Sequence, residues 1–527
     1  MSSNPQTDPM GPEADHPDNE DGEQAMLDPG EAGEEIPSDP DEPMESDPSD
    51  NEASESAQQQ ISLQNDSVAH FDLHKDSIFC IAQHPLHSEI IATGGGDEVG
   101  YIFDSTASEA SEQPVLPASY QSSPQVPQER QCLSALFKLS SDHHKESLNA
   151  ICFTLPKGEY LLSADLNGRL CAWRDTSSSL NGRTWAFVAE STEEGDINWL
   201  APCPHHSYPN TIALGREDGS VWIYSVDVND ASAPLVIQQA YYLHTMSCTA
   251  GTWTPNGALL ATVSEDGSFH VFDPFGEAAG IQLANHGSSG ITSSVGQSLI
   301  GLTALDQRFA VDGGLYSVAI SPSGTLAVVG GAGGHLRVVG LPRVGADPSP
   351  VGSQGAGAAS KPSNGGRRSG APSTAPSNAT AGQAGQILAS LRAQDDSVET
   401  LAFSSPPLTL LAAGSVDGSI VLFDSARRFA VRRHIRDAHE EYAVVQVEFV
   451  DNPRTGGWLL TSAGMDGVVR RWDTRGGSGP VTTAVGSEGL GGMIAEWKGH
   501  RGEGEKGGVL GFVQGEGGDR IVTAGDE

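Results

Sequence analysis

The sequence is poor in positive charge. Its 527 residues include 29 Lys and Arg against 69 Asp and Glu, which gives a formal net charge of −40. Residues 1–60 hold 19 of these acids and no Lys or Arg, so the remainder still carries 50 acids (69 − 19) against 29 bases. A chain this negative repels phosphate backbones, which argues against direct binding of nucleic acid and favours basic proteins or peptides as partners.

Metal-binding cysteine patterns and long apolar runs are also missing. The six cysteines form no Cys-x-x-Cys pair and no metal-type spacing with histidine, so neither a metal nor another cofactor is expected. We find no signal-peptide pattern and no apolar stretch of the roughly 18 residues that cross a bilayer. We therefore expect a monomer without membrane contact, in the cytoplasm and with the nucleus as a second compartment.

Patterns typical of an enzyme are absent as well. The glycine-rich run 330–334 does not match the spacing of a phosphate-binding loop. No pair of carboxylates lies in an apolar setting that would shift its pKa. The sequence therefore predicts a protein that binds partners and catalyses no reaction.

What the sequence does contain is a repeated turn that leads into an alternating apolar strand. Seven times a turn with glycine, usually Asp-Gly, precedes such a run. Asp and Gly tolerate the positive φ of tight hairpins, and a spacing of roughly 40–50 residues indicates a repeat architecture. Four of the turn aspartates are predicted to be structural: Asp218, Asp266, Asp417 and Asp466.

The repeat resembles the WD-repeat family. A histidine comes first, then two strands, the Asp-Gly turn, and an aromatic residue followed by Asp. The family builds β-propellers from four-stranded blades. The resemblance implies buried hydrogen bonds that link His to the turn Asp and, through Ser or Thr, to Trp. The second repeat supplies all four residues: His144, Ser163, Asp165 and Trp173.

Two further repeats follow this pattern with changes. The seventh ends on Trp472 in the tryptophan position. The fourth has Phe272 there, so its chain of hydrogen bonds lacks the last donor. In this repeat, we expect Ser264 and Asp266 to bind His244.

The number of repeats predicts an all-β propeller of eight blades over residues 62–527, with the last blade incomplete. After seven complete endings, an eighth repeat begins but lacks its third strand. The run 67–71 fits the outer strand that would close this blade. We therefore expect the sequence to be truncated at its C-terminus.

Composition separates three other segments from the repeats. Residues 1–61, rich in Asp, Glu, Pro and Ser, are predicted to be a disordered acidic tail. Low-complexity insertions are predicted at about 105–130 and 343–385. A basic cluster between the sixth and seventh repeats is predicted to be a solvated outer strand; the alternative is that the tail folds onto it and competes with basic partners. The cluster is Arg427, Arg428, Arg432, Arg433 and Arg436.

Carboxylates recur in the loops that a propeller would collect at one end of its channel. They lie before the inner strands and at the turns between the two middle strands. Each exposed charge pair contributes only about 0.2–1 kcal/mol, so such a ring would select a Lys/Arg-rich peptide through number and orientation. The predicted partner-binding residues are Asp76, Glu146, Glu194, Asp196, Glu217, Glu265, Asp396, Glu399, Glu440 and Glu441.

Runs 70–81 and 212–222, with the acidic N-terminal extension, resemble one subfamily of WD-repeat proteins. It includes the animal angio-associated migratory cell protein and a fungal chaperone of a large-subunit ribosomal protein. The resemblance implies that the acidic face captures the basic N-terminal segment of a ribosomal protein of the uL-sixteen (L-ten) type.

Two alternatives remain open. Residues 459–475 resemble the box that docks substrate receptors on a cullin ubiquitin ligase, although Arg471 stands where an apolar residue is expected. A generic signalling scaffold is the other.

Overall fold

The computed structural model describes ten segments of the chain, in which the regular structure is β-strand with single 3-10 turns. The predicted tail, residues 107–129 of the first predicted insertion and residues 345–382 of the second lie outside them. The described residues are 65–106, 130–139, 142–176, 184–227, 233–278, 297–344, 383–452, 456–475, 492–500 and 507–526.

The repeats fold into strands because apolar side chains alternate along them and glycine turns separate the runs. The strands are β1 (Ala69–His70), β2 (Ile78–Gln83), β3 (Ile90–Gly95), β4 (Gly100–Asp104), β5 (Gln131–Cys132), β6 (Ala135–Leu139), β7 (Leu148–Phe153), β8 (Tyr160–Asp165), β9 (Arg169–Asp175), β10 (Trp185–Thr192), β11 (Ile197–Pro202), β12 (Thr211–Arg216), β13 (Val221–Val226), β14 (Leu235–Tyr241), β15 (Cys248–Trp253), β16 (Leu260–Ser264), β17 (Phe269–Phe272), β18 (Ile300–Leu302), β19 (Leu315–Ile320), β20 (Leu326–Gly331), β21 (His335–Gly340), β22 (Ile387–Arg392), β23 (Val398–Phe403), β24 (Leu410–Ser415), β25 (Ile420–Asp424), β26 (Ala430–Ile435), β27 (Val444–Phe449), β28 (Leu459–Gly464), β29 (Val468–Asp473), β30 (Met493–Lys498), β31 (Val509–Gln514) and β32 (Ile521–Gly525).

Seven four-stranded antiparallel sheets form the blades of a propeller, each built in chain order from its inner to its outer strand. Blades one to seven are β2-β3-β4-β6, β7–β10, β11–β14, β15–β18, β19–β22, β23–β26 and β27–β30. Each inner strand contacts the inner strand of the next blade. Strand β31 contacts both β27 and β2, so the two-stranded sheet β31–β32 closes the ring.

The prediction of eight blades is wrong. Within the described residues, β31 and β32 pair only with each other, and they form a two-stranded sheet where the eighth blade was expected. The run 67–71, predicted to be the outer strand of that blade, contributes β1 instead. This strand pairs in parallel with β5, so His70 lies opposite Cys132.

The apolar core lies between neighbouring blades. One cluster joins Ile102 of blade one to Leu148 and Trp173 of blade two. Another joins Leu422 of blade six to Trp472 of blade seven. Burying one large apolar side chain contributes about 1.5–3 kcal/mol, so each blade is stabilised mainly by its two neighbours.

Side-chain hydrogen bonds join each inner strand to the next. A β-bulge after the first residue displaces the second residue of every inner strand from the register. In three successive blades this displaced residue donates to a carbonyl of the next inner strand: Asn149 to Ile197 at 3.2 Å, Asn198 to Cys248 at 3.0 Å and Thr249 to Leu315 at 2.6 Å. The hydroxyl of Ser77 donates to Asp526, which joins the two-stranded sheet to blade one.

A buried arginine ties the two-stranded sheet to blade seven. Arg471 of β29 is 8% exposed, and its guanidinium donates to the carbonyl of Gly518 at 2.7 Å. It also donates to the hydroxyl of Thr461 at 3.1 Å, and this hydroxyl donates to the side chain of Gln514 at 2.8 Å. Arg471, which stands where the docking-box resemblance expects an apolar residue, therefore has a structural role.

The four residues named in the second repeat form one buried hydrogen-bonded chain. His144 Nδ1 lies 3.1 Å from Asp165, and Nε2 lies 2.8 Å from the hydroxyl of Ser163. The indole N–H of Trp173 donates to the same hydroxyl at 2.9 Å. Blade seven repeats this chain with His439, Ser462, Asp466 and Trp472.

Blade four differs from the expectation. His244 contacts the hydroxyls of Thr262 at 2.8 Å and Ser268 at 2.6 Å, and not Ser264 or Asp266. The Ser264 hydroxyl donates instead to a backbone carbonyl in the loop before β15. Thr262 is two residues earlier in β16, and side chains two residues apart share one face of a strand.

Ser163→Ala should lower the free energy of unfolding by about 1–3 kcal/mol, because it leaves buried groups of Trp173 and His144 without a partner. Ser207→Ala is the control, since the Ser207 hydroxyl bonds to the exposed His206 and should change stability by less than about 0.5 kcal/mol. Urea denaturation followed by tryptophan fluorescence measures both. Equal losses in the two variants would contradict the assigned role.

Candidate functional site

The loops before the inner strands and the turns after the second strands meet at one end of the ring. A backbone hydrogen bond joins loop to turn in all seven blades and in the two-stranded sheet, as between Glu217 N–H and Asp196 O at 3.0 Å. We call this end the acidic face. It carries all ten predicted carboxylates: Asp76, Glu146, Glu194, Asp196, Glu217, Glu265, Asp396, Glu399, Glu440 and Glu441.

The turn aspartates at this end are engaged by the fold itself. Burial raises the pKa of Asp266, but hydrogen bonds from Ser268 and Thr245 outweigh it and lower the pKa to about 2. The pKa of Asp417 is lowered in the same way, with hydrogen bonds that include one from Ser419. These carboxylates stabilise their turns, so the exposed loop acids are the ones available to a partner.

A group of exposed acids converges on one tyrosine across blades four to six. Burial raises the pKa of Tyr316, and the negative charges of Glu265 and Glu399 raise it further. Burial, and then the charge of Asp396, raise the pKa of Glu399. The Tyr316 hydroxyl donates to the carbonyl of Gly313 at 2.7 Å, which holds the ring in place. We call Glu265, Tyr316, Asp396 and Glu399 the Tyr316 cluster.

The other predicted carboxylates are distributed around the acidic face. Asp196 and Glu217 are neighbours in blade three through their backbone hydrogen bond. Asp76 and Glu146 are exposed in blades one and two, and each follows an exposed lysine in the sequence. Glu194, Glu440 and Glu441 are exposed in the loops that enter blades three and seven. The structure therefore brings five of the ten together in two groups and spreads the other five.

Apolar residues at the bulges of the inner strands were missed by the sequence analysis. Phe79 of blade one is 40% exposed, and Val445 of blade seven and Leu510 of β31 are half-buried. These three strands are neighbours in the ring, so they form an apolar arc beside the acids. The sequence feature that could have identified them is their position, since each is the second residue of an inner strand. Glu399 occupies the same position in blade six.

Seven blades, with the histidine–serine–tryptophan chain in blades two and seven, define a WD-repeat β-propeller. The profile of the WD40 family (WD domain, G-beta repeat) matches residues 237–273 and 385–424. Among the described residues, no helix has the length and apolar character needed to cross a membrane.

Comparison with known proteins places the chain more narrowly. A crystal structure of Sqt1 from Chaetomium thermophilum is 45% identical and covers 88% of this chain and 96% of its own, with a TM-score of 0.69. A structure of that Sqt1 bound to the N-terminus of the ribosomal protein L10 is also 45% identical and covers 88% of this chain and 98% of its own, with a TM-score of 0.68. The chain belongs to the Sqt1 family of WD-repeat proteins.

More distant relatives agree with this assignment. The ribosome assembly protein SQT1 of Saccharomyces cerevisiae is 26% identical over 192 residues, which are 36% of this chain and 37% of that protein. The angio-associated migratory cell protein of Homo sapiens is 21% identical over 474 residues, which are 90% of this chain and 81% of that protein. The resemblance inferred from the sequence motifs is confirmed.

Glu399→Gln should lower the pKa of Tyr316, because it removes a negative charge that opposes ionisation of the phenol. Alkaline absorbance titration, read as the difference from the matching Tyr316→Phe protein, isolates this one tyrosine. Glu159→Gln is the control, since Glu159 is exposed just before β8, at the opposite end of blade two. An unchanged pKa in Glu399→Gln would show that these side chains do not converge.

Proposed function

We propose that this protein is a non-enzymatic chaperone for assembly of the large ribosomal subunit in the cytoplasm. Its acidic face would capture the basic N-terminal segment of a ribosomal protein of the uL-sixteen (L-ten) type. The observation that carries this proposal is the 45% identity to a Sqt1 whose structure was solved with the N-terminus of the ribosomal protein L10 bound.

The Tyr316 cluster supplies the electrostatic part of the capture. Its carboxylates raise the pKa of neighbouring groups, so a cation placed among them would relieve their mutual repulsion. Lysine and arginine side chains both supply such a cation. The planar guanidinium of arginine also donates two parallel hydrogen bonds that match a carboxylate. The net charge of −40 adds long-range attraction, which accelerates encounter with a basic segment.

The apolar arc supplies a second kind of contact. Val445 of blade seven lies beside blade six, which holds Asp396 and Glu399, and Leu510 and Phe79 continue the ring away from the Tyr316 cluster, which spans blades four to six. A segment that alternates basic and apolar side chains would reach both surfaces at once. This division would orient the segment, because its cations and its apolar residues are stabilised on different parts of the ring.

A labelled peptide of the L10 N-terminal segment should bind the protein in fluorescence anisotropy, and the dissociation constant should rise with salt. Glu265→Gln combined with Glu399→Gln should weaken binding roughly 2- to 30-fold, since each exposed pair is worth about 0.2–1 kcal/mol. Glu159→Gln, which removes an equal charge at the other end, should leave affinity within about twofold.

The controls separate specific capture from general attraction. A scrambled peptide of the same composition should bind more weakly than the native order, because only the native order matches both surfaces. Equal binding of the two peptides, or equal loss in the Glu159→Gln protein, would overturn the proposal.

The ubiquitin-ligase alternative has less support. Arg471 in the candidate docking box is buried against the two-stranded sheet, and Arg475 pairs with Asp473 of its own chain. Copurification distinguishes the two functions, since adaptor and cullin would mark a receptor and one basic ribosomal protein would mark a chaperone.

A further inference from the structure

Three side chains with metal-binding atoms meet where β1 pairs with β5. Cys132 Sγ lies 3.1 Å from Asp72 Oδ1, and His70 Nε2 lies 3.9 Å from Asp72 Oδ2. One ligand atom from each of the three residues lies within 4.8 Å of the others. Sequence spacing did not predict this group, because Cys132 is about sixty residues away from the other two.

The backbone holds the three residues in this arrangement. His70 lies directly opposite Cys132 in the parallel pairing, and the N–H of Leu133 donates to the carbonyl of His70 at 2.8 Å. Phe71 stacks on Phe103 with ring centroids 4.3 Å apart, which anchors the segment to blade one. Side chains alternate along an extended chain, so His70 and Asp72 share the face that Phe71 leaves exposed.

The geometry points to a binding site for a divalent transition-metal ion of the zinc type, held by Cys132, His70 and Asp72. Bond lengths of about 2.3 Å to sulfur and about 2.0 Å to nitrogen and oxygen place tetrahedral ligand atoms about 3.3–3.5 Å apart. The observed separations of 3.1 and 3.9 Å involve the two different oxygens of Asp72. With one oxygen as the ligand, the three atoms lie within 4.8 Å of one another, so side-chain rotation must shorten the longest separation by up to about 1.3 Å. Three protein ligands leave the fourth position to water.

Metal binding exchanges a proton for the ion. The Cys132 thiol donates to Asp72, and its proton leaves for solvent when the thiolate binds the metal. Affinity therefore falls as the pH is lowered. His70 Nδ1 is buried without a hydrogen-bond partner among the described residues, so ligation through Nε2 leaves its N–H unpaired. We expect weaker binding than at a closed structural zinc site.

The occupied site would join two parts of the chain that are otherwise held by a two-residue strand pair. Residues 69–72 lead into the first inner strand, and residues 131–132 precede the outer strand of blade one. A metal bridge would fix the entry of the chain to blade one.

Cobalt(II) reports the thiolate ligand directly. The full chain, stripped with chelator and free of affinity tag, should gain a sulfur-to-cobalt charge-transfer band that saturates at one ion per chain and is displaced by zinc. Cys132→Ser should abolish the band, and Asp72→Asn should weaken cobalt binding by more than about tenfold. His87→Gln is the matched control, since His87 pairs with Glu89 on the surface without a cysteine.

Thiol labelling provides a second readout that does not depend on the variants. Cys132 is exposed, whereas the other five cysteines are buried or half-buried, so a thiol reagent should modify one cysteine in the native protein. Zinc should slow this modification, and excess chelator should restore it. A cobalt spectrum without the band, a band that survives Cys132→Ser, or labelling unaffected by zinc would each overturn the site.

Discussion

The structure depends on side chains that pass hydrogen bonds from one inner strand to the next. The bulge at the start of each inner strand releases one residue from the sheet, and Asn149, Asn198 and Thr249 use that freedom to bind the neighbouring backbone. The loops before the inner strands end at these positions, so the hydrogen bonds that join the inner strands also help to position the carboxylates in those loops.

Two kinds of carboxylate share the acidic face and have different roles. Aspartates such as Asp266 accept hydrogen bonds in their own turns, which explains their lowered pKa. Glu399 lacks this compensation, and burial and the charge of Asp396 raise its pKa. The first kind stabilises its own turn, whereas the second remains exposed and is the kind that we propose a basic partner would contact. This contrast makes a role in binding a better account of the exposed acids than solubility alone.

Much of the fold was predictable because the WD repeat is locally encoded. Turn glycines and alternating apolar residues mark each blade, and His144, Ser163, Asp165 and Trp173 contact one another as the motif implies. The errors arose where a choice depends on partners distant in sequence. Strand register determines that Thr262 supplies the hydroxyl that contacts His244. The role of Arg471 depends on its hydrogen bond to the two-stranded sheet, which lies about forty residues later in the sequence.

In the candidate site, too, features that depend on residues distant in sequence could not be predicted. Every predicted carboxylate lies at the expected end of the ring, because loops before inner strands share one end by topology. Their grouping around Tyr316 was not predictable, since it depends on three blades whose spacing only the closed ring defines. The bulge residues Phe79, Val445 and Leu510 were equally hidden, because a displaced residue looks like any other member of an alternating strand.

The way the ring closes has a consequence for how the molecule is made. Each blade is assembled from consecutive strands, but the contact of Ser77 with Asp526 spans 449 positions. Closing a loop of that length costs about 5 kcal/mol of chain entropy beyond a constant term, and such distant contacts form slowly. During synthesis the blades can therefore arise one after another as an open arc. The ring closes only with the final strands, so the apolar arc, which includes Leu510 of β31, is the last part of this surface to be completed.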